Sequence, residues 1–161
     1  MIASSSTAET GSAQRPRVLL ADDHPAMLAL TADALADHCL VVGSVGDGRT
    51  LLAEAERLHP DVIVLDITMP RLDGIEAARQ LLHFDQPAHL VFLTVHEDAD
   101  YARAALDVGG IGYVVKSRLA SDLLTAIRAA LANRPFISPT ICLDEARLIS
   151  PSLPEKTTPT Q

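Results

Sequence analysis

The sequence predicts a doubly wound α/β sandwich: a five-stranded parallel sheet with five helices on its two faces. Three observations carry this. Five short apolar runs rich in Val, Ile and Leu have the composition of strands buried on both sides. The longer segments between them repeat their apolar residues at helical spacing. The two kinds alternate with short connections, and right-handed crossovers then place helices on both faces.

The strands are VLLA (18–21), LVVGS (40–44), VIVL (62–65), LVFLT (90–94) and IGYVV (111–115). The first helix is expected over 25–38, with Met27, Leu28, Leu30 and Leu35 on its apolar side. The next two are expected over 47–59 and 73–84, opened by Asp47 and Asp73 as N-caps. A fourth follows over 97–108. The last spans 119–133, with Leu123, Leu124, Ile127 and Leu131 inward and Ser117 and Ser121 as candidate caps.

Composition narrows the function. The 161 residues suit one domain of about 17–133 with tails, and the net charge of -8 without a Lys/Arg cluster argues against a surface built to grip nucleic acid. Cys39 and Cys142 stand at no metal-like or redox-like spacing, which points to free thiols in a reducing compartment, the cytoplasm. Residues 1–16 hold no apolar run fit for a signal peptide and read as a disordered extension. No stretch approaches membrane-spanning length. Beyond Asn133, five prolines fall between 135 and 159, so 134–161 reads as a Pro-rich tail or truncated linker with one helix-capable stretch at 143–149.

Folds of this class place their chemistry at the carboxyl ends of the strands. The first strand runs into Asp22-Asp23-His24-Pro25, the third into Asp66, the fourth ends at Thr94, and the fifth runs through Tyr113 to Lys116. Asp66 alone reads best as an ordinary turn former. Three carboxylates, a hydroxyl and an ammonium on one edge change that balance. Crowded carboxylates need a neutralising cation, and hard oxygen donors favour Mg²⁺. Phosphoryl transfer to an Asp carboxylate is then the leading chemistry. The bland alternatives are a solvated Lys116, a strand Thr94 and a core Tyr113. Lys116, directly after GYVV, favours the site. The six histidines share no spacing and none is read as a metal ligand.

With Asp22-Asp23, Asp66, Thr94 and Lys116 on five βα units, the chain resembles the receiver domain of two-component response regulators over roughly 17–133. ADDHP, DGRTLL, PDVIVLDITMPRLDGIEAAR and GYVVKS look most like the NarL-type branch, whose members usually carry a LuxR-type DNA-binding helix-turn-helix after the receiver. The resemblance implies a flavodoxin-like sheet of order 2-1-3-4-5. It implies Asp66 as phosphoacceptor, taking its phosphoryl group from a phosphohistidine on a sensor histidine kinase. Asp23, Asp66 and the backbone carbonyl of Thr68 would bind Mg²⁺ directly, and Asp22 through water. Lys116 would pair with phosphoryl oxygens, Thr94 would move to hydrogen-bond them, and Tyr113 would swing inward behind it. Thr68 and His96 would border the site, with His96 influencing dephosphorylation. Met69, Pro70 and Gly74 would shape the loop after the acceptor.

By the same resemblance the output is a changed surface on the fourth helix, fifth strand and fifth helix, offered to a downstream protein or to a second copy. A homodimer through the first and fifth helices is the other arrangement. The protein is not expected to be an enzyme beyond its own phosphoryl transfer and slow autodephosphorylation. Ser117 stands where many receivers have proline, and Gly109-Gly110 predicts a loose turn. Too few residues follow 133 for a helix-turn-helix, so the chain alone is not expected to bind DNA specifically. The alternatives are a scaffolding receiver that works unphosphorylated and the receiver part of a DNA-binding regulator. A haloacid-dehalogenase-type phosphatase would need an acid where Thr68 stands. ADDHP would repel a flavodoxin-type phosphate group, and no P-loop signature is present.

Overall fold

The computed structural model describes residues 15–85 and 87–141. In chain order these form β1 (Arg17–Ala21), α1 (Pro25–Leu35), β2 (Leu40–Val45), α2 (Gly48–Leu58), β3 (Val62–Leu65), α3 (Gly74–Leu81), β4 (His89–Thr94), α4 (Ala99–Asp107) and β5 (Gly112–Val115). A single 3₁₀ turn (Lys116–Arg118), α5 (Leu119–Leu131) and β6 (Phe136–Ile137) follow. All strand pairs are parallel, in the order β2-β1-β3-β4-β5-β6.

The strands alternate their side chains between two cores, as a period of two requires. Val18, Leu20, Val62, Val64, Val91, Leu93 and Val114 face α1 and α5, meeting Leu35, Leu123, Ala126 and Ile127. Leu19, Ile63, Leu65, Leu90, Phe92 and Tyr113 face α2, α3 and α4, meeting Leu51, Ala55, Ala77, Ala78, Leu81, Ala102 and Ala105. Both faces are therefore apolar, which is why VIVL and VLLA read as unbroken apolar runs. Cys39 lies buried under the first core as a free thiol, and burial pushes its pKa up against the pull of Arg128 and Arg15. No helix among the described residues is long and apolar enough to cross a membrane.

The structure corrects the sequence reading in four places. A sixth strand joins the predicted five: Phe136 and Ile137 pair with Gly112 and Tyr113, Ser138 is fully buried, and Ile141 enters the second core. The chain does not leave the domain at Asn133. A strand of two residues shows no period in sequence, and only the free edge of β5 makes Phe136 and Ile137 a strand. Neither Ser117 nor Ser121 caps α5, because the 3₁₀ turn runs straight into the helix and Ser121 Oγ bonds Arg118 and Asp122 instead. Helices α1 and α3 stop at Leu35 and Leu81, each three residues early.

Gly109-Gly110 is the fourth correction, since close packing and backbone shape, not looseness, account for it. Gly109 has φ +101°, and a Cβ there would come within 2.3 Å of Leu82. A Cβ on Gly110 would meet the Phe92 ring at 2.6 Å and the Ala105 carbonyl at 2.8 Å. The caps of α2 and α3 are as predicted: Asp47 accepts from the Thr50 N–H at 2.8 Å and Asp73 from the Glu76 N–H at 2.9 Å. Residues 1–14, Cys142 and the stretch 143–149 lie outside the described residues.

The strongest buried polar cluster away from the strand ends gathers on Asp122, 5% exposed. It accepts from Arg118 Nε at 2.7 Å and Nη2 at 3.2 Å, from Ser121 Oγ at 3.0 Å and from Ser138 Oγ at 2.8 Å. Burial works to raise the pKa of this carboxyl, but the bonds from Arg118, Ser138 and Ser121 outweigh it and hold it below the usual carboxylate value. A depressed folded pKa stabilises the fold above the unfolded value, and that contribution fades as pH falls through the folded one. Asp122→Asn is therefore expected to flatten the acid limb of stability, read by urea unfolding between about pH 5 and pH 2. An unchanged slope would show that the carboxylate is not a source of acid lability.

Candidate functional site

The sheet itself brings the acids together. Beyond the end of β1, the Asp22 N–H donates to the Val45 carbonyl at 3.0 Å; beyond β3, the Asp66 N–H donates to the Ala21 carbonyl at 3.0 Å. Each ladder continues one residue past its strand and fixes the two carboxylates side by side at the top of adjacent strands. Asp22 is 5% exposed and Asp66 4%, while Asp23 is open to solvent. Oxygens of Asp22, Asp23 and Asp66 and a ring nitrogen of His24 all lie within 4.8 Å of one another.

Lys116 closes this group from the end of β5. Its Nζ lies 2.6 Å from Asp22 Oδ2 and 3.0 Å from Asp66 Oδ2. Burial opposes its charge, yet the hydrogen bonds to Asp22 and Asp66 win and raise its pKa above that of an ordinary lysine. The remaining oxygens are also engaged: Asp66 Oδ1 accepts from the Ile67 N–H at 2.7 Å, and Asp22 Oδ1 from the His24 N–H at 2.9 Å. His24 Nδ1 stands 3.0 Å from Asp22 and 3.1 Å from Asp23. The sequence reading left His24 out, although its position directly after the acid pair was signal enough.

The loop after Asp66 turns back sharply. The Gly74 N–H donates to the Ile67 carbonyl at 2.6 Å, and a Cβ on Gly74 would fall 2.0 Å from the Asp66 carbonyl oxygen. Only glycine permits that approach, and it lets α3 begin directly behind the acid. Thr68, on this loop, reaches across the mouth of the site, with its Oγ1 2.9 Å from His96 Nε2. His96 stacks on Tyr101, with ring centroids 4.0 Å apart. Thr68 stands two residues after Asp66 and His96 two after Thr94, but their direct contact was not foreseeable from spacing.

Thr94 ends β4 fully buried, and its Oγ1 accepts from the His96 N–H at 3.4 Å. Tyr113 has its ring fully buried beside Phe92, 6.5 Å between centroids, and its hydroxyl donates to the His96 carbonyl at 3.0 Å. Burial, with the charges of Asp66 and Asp98 behind it, pushes the phenol pKa well up, so Tyr113 stays a donor. His96 thus ties Thr68, Thr94 and Tyr113 into one chain of contacts. All the predicted residues gather at one end of the sheet.

Residues 18–128 match the response regulator receiver domain family. The chain belongs to that family. Among proteins similar to this receiver is the response regulator GacA of Pseudomonas viridiflava, 35% identical over 127 residues, which are 78% of this chain and 59% of GacA. A LuxR-family two-component response regulator from Aurantimonas superposes with a TM-score of 0.75 at 32% identity, covering 80% of this chain and 93% of that one. The isolated receiver domain of RcsB from Salmonella enterica, solved with the phosphomimetic BeF₃⁻, superposes with a TM-score of 0.73 at 26% identity, covering 80% and 96%. Structural neighbours of this receiver thus include a LuxR-family regulator and the receiver domain of NarL from Mycobacterium tuberculosis. The receiver spans little more than half the length of the curated relatives it matches, 53% and 59% of the first two.

The donor set fits magnesium. Three carboxylates offer hard oxygens within one ion's reach, and the exposed Asp23 leaves a side open to water.

Proposed function

We propose that this receiver is a phosphorylation-dependent switch in which Asp66 accepts a phosphoryl group from a phosphohistidine of a sensor histidine kinase. The observation that carries the reading is Lys116, set between the buried carboxylates of Asp22 and Asp66. A lysine spent only on structure has little reason to hold two acids at a solvent-facing mouth.

In the transfer an Asp66 carboxylate oxygen bonds to phosphorus as the phosphorus bond to the donor imidazole nitrogen breaks. Asp22, Asp23, Asp66 and the Thr68 backbone carbonyl would hold Mg²⁺, which when bound supplies charge neutralisation to the transferred group. Asp66 Oδ1 is held by the Ile67 N–H, which fixes the carboxylate plane for in-line attack. Lys116 follows the charge onto the new phosphoryl oxygens. The added group brings about -1.5 to -2 charge units and fresh acceptors, so the Thr94 hydroxyl gains a stronger partner than its long contact with His96.

Thr94 would move toward the phosphoryl oxygens with Tyr113 packed behind it, and the backbone from Thr94 to His96 would carry that change to the Thr68 contact and the Tyr113 hydroxyl. The responding face comprises α4, β5 and α5 and now includes β6. A downstream protein or a second copy of the chain would read it, and similarity to the transcriptional regulatory protein PdtaR of Mycobacterium tuberculosis, 35% identical over 128 residues, supports transcriptional control as the output. Localisation in the cytoplasm, beside a kinase's histidine domain, belongs to the same reading.

Hydrogen exchange with and without BeF₃⁻ and Mg²⁺ tests the switch. Residues 94–118 are expected to change protection. Identical exchange along the whole chain would contradict a conformational output. His96→Ala, which removes the bridge to Thr68 over the site, is expected to let water in and shorten the acyl phosphate lifetime several-fold, measured by decay of the phosphorylated mass. A longer lifetime would make His96 a promoter of hydrolysis instead of a shield.

A further inference from the structure

Asp22 and Asp66 hold the Lys116 ammonium, but they do not hold the backbone that carries it. The ammonium sits at the end of a flexible four-carbon stem, so the position of Nζ depends on the backbone that carries it. That backbone is a single 3₁₀ turn, Lys116–Arg118, and the residue after Lys116 is Ser117, with no proline ring to stiffen it.

Both ends of the turn are tied to one buried carboxylate. On the near side the Val115 N–H donates to Ser138 Oγ at 3.2 Å, and Ser138 Oγ donates to Asp122 Oδ2 at 2.8 Å. On the far side Arg118 clasps Asp122 with Nε at 2.7 Å and Nη2 at 3.2 Å. Ser138 is fully buried and itself anchored, its N–H donating to the Tyr113 carbonyl at 2.9 Å. The hydroxyl therefore donates and accepts at once, in a place where losing it would strand the Val115 N–H at the edge of β5. Fully satisfied buried networks of this kind over-determine the backbone around them.

We propose that Ser138, Asp122 and Arg118 form a clamp that positions Lys116 for phosphoryl transfer. The short β6 segment is then part of the phosphorylation machinery, because it delivers Ser138. These are positioning residues, since none touches the phosphoryl group and each acts through the turn. The inference rests on the phosphoryl-transfer reading of Asp66.

The clamp predicts two effects of opposite kind. Lys116 competes with a cation for Asp22 and Asp66, so loosening it leaves Mg²⁺ affinity unchanged or tighter. Phosphoryl uptake, which needs the ammonium in register, becomes slower. A purely structural defect would instead weaken both together.

The experiment compares wild type, Ser138→Ala and Asp122→Asn. It measures Mg²⁺ affinity by calorimetric titration and the initial rate of phosphoryl uptake from acetyl phosphate by intact mass. Both variants are expected to lose about tenfold in rate, the usual scale for residues that support a reacting group from behind, with Mg²⁺ affinity kept or improved. Asp122→Asn preserves shape and an acceptor oxygen for Ser138, so it decides the matter where Ser138→Ala does not fold. Rates equal to wild type, or rate and affinity falling together, would overturn the clamp while leaving Asp66 as acceptor. A wild type that takes no phosphoryl group would overturn the reading of Asp66 and the clamp with it.

Discussion

Lys116→Ala is expected to lose about 3–5 kcal/mol of stability in the presence of a chelator, the usual cost of removing one partner from a buried ion pair. Asp22 and Asp66 are almost fully buried and share the Lys116 ammonium at 2.6 and 3.0 Å. Without it the two carboxylates face each other, with His24 as the cationic group left beside them when protonated. Mg²⁺ restores what the lysine supplied. A cation that binds only the folded chain adds about 2.7 kcal/mol at a hundred times its dissociation constant. Its gain should be larger in the variant than in wild type, where Lys116 contests the same oxygens. Urea unfolding with chelator and with Mg²⁺ reads both effects. Equal stability in chelator would show that the acids do not depend on this lysine.

Asp66→Asn is expected to abolish phosphoryl uptake altogether while leaving the fold intact or firmer. The amide oxygen can still accept from the Ile67 N–H, and one charge leaves a crowded group of three acids, so no stabilising contact except that to Lys116 is weakened. An amide is no nucleophile towards phosphorus under these conditions, so the loss is complete instead of graded. Uptake persisting in the variant would place the acceptor elsewhere, with Asp23 the exposed carboxylate nearest to hand.

Much of this was legible in the sequence because it is local. VIVL shows its apolar run and occupies β3 with the same bounds. Asp47 and Asp73 announce their helices by hydrogen bonds that reach only three residues along the chain. The convergence of Asp22, Asp66 and Lys116 followed from parallel topology alone, since every strand of such a sheet ends on the same side. What was hidden depends on contacts between distant segments. β6 exists only because β5 has a free edge, and Ser138 matters only through Val115 and Asp122, 23 and 16 residues away. The inward Tyr113 and the Thr68–His96 bridge are choices of side-chain rotamer, which spacing does not encode. Gly109 looked like slack, whereas its positive φ and the nearby Leu82 side chain make it a constraint.

The measurement that tests the central claim most directly is the intact mass of the wild-type chain after incubation with acetyl phosphate, once with Mg²⁺ and once with chelator. The account predicts one added phosphoryl group with Mg²⁺, mapped to Asp66, and none with chelator. An unmodified mass in Mg²⁺, or a phosphoryl group mapped to any other residue, would contradict it.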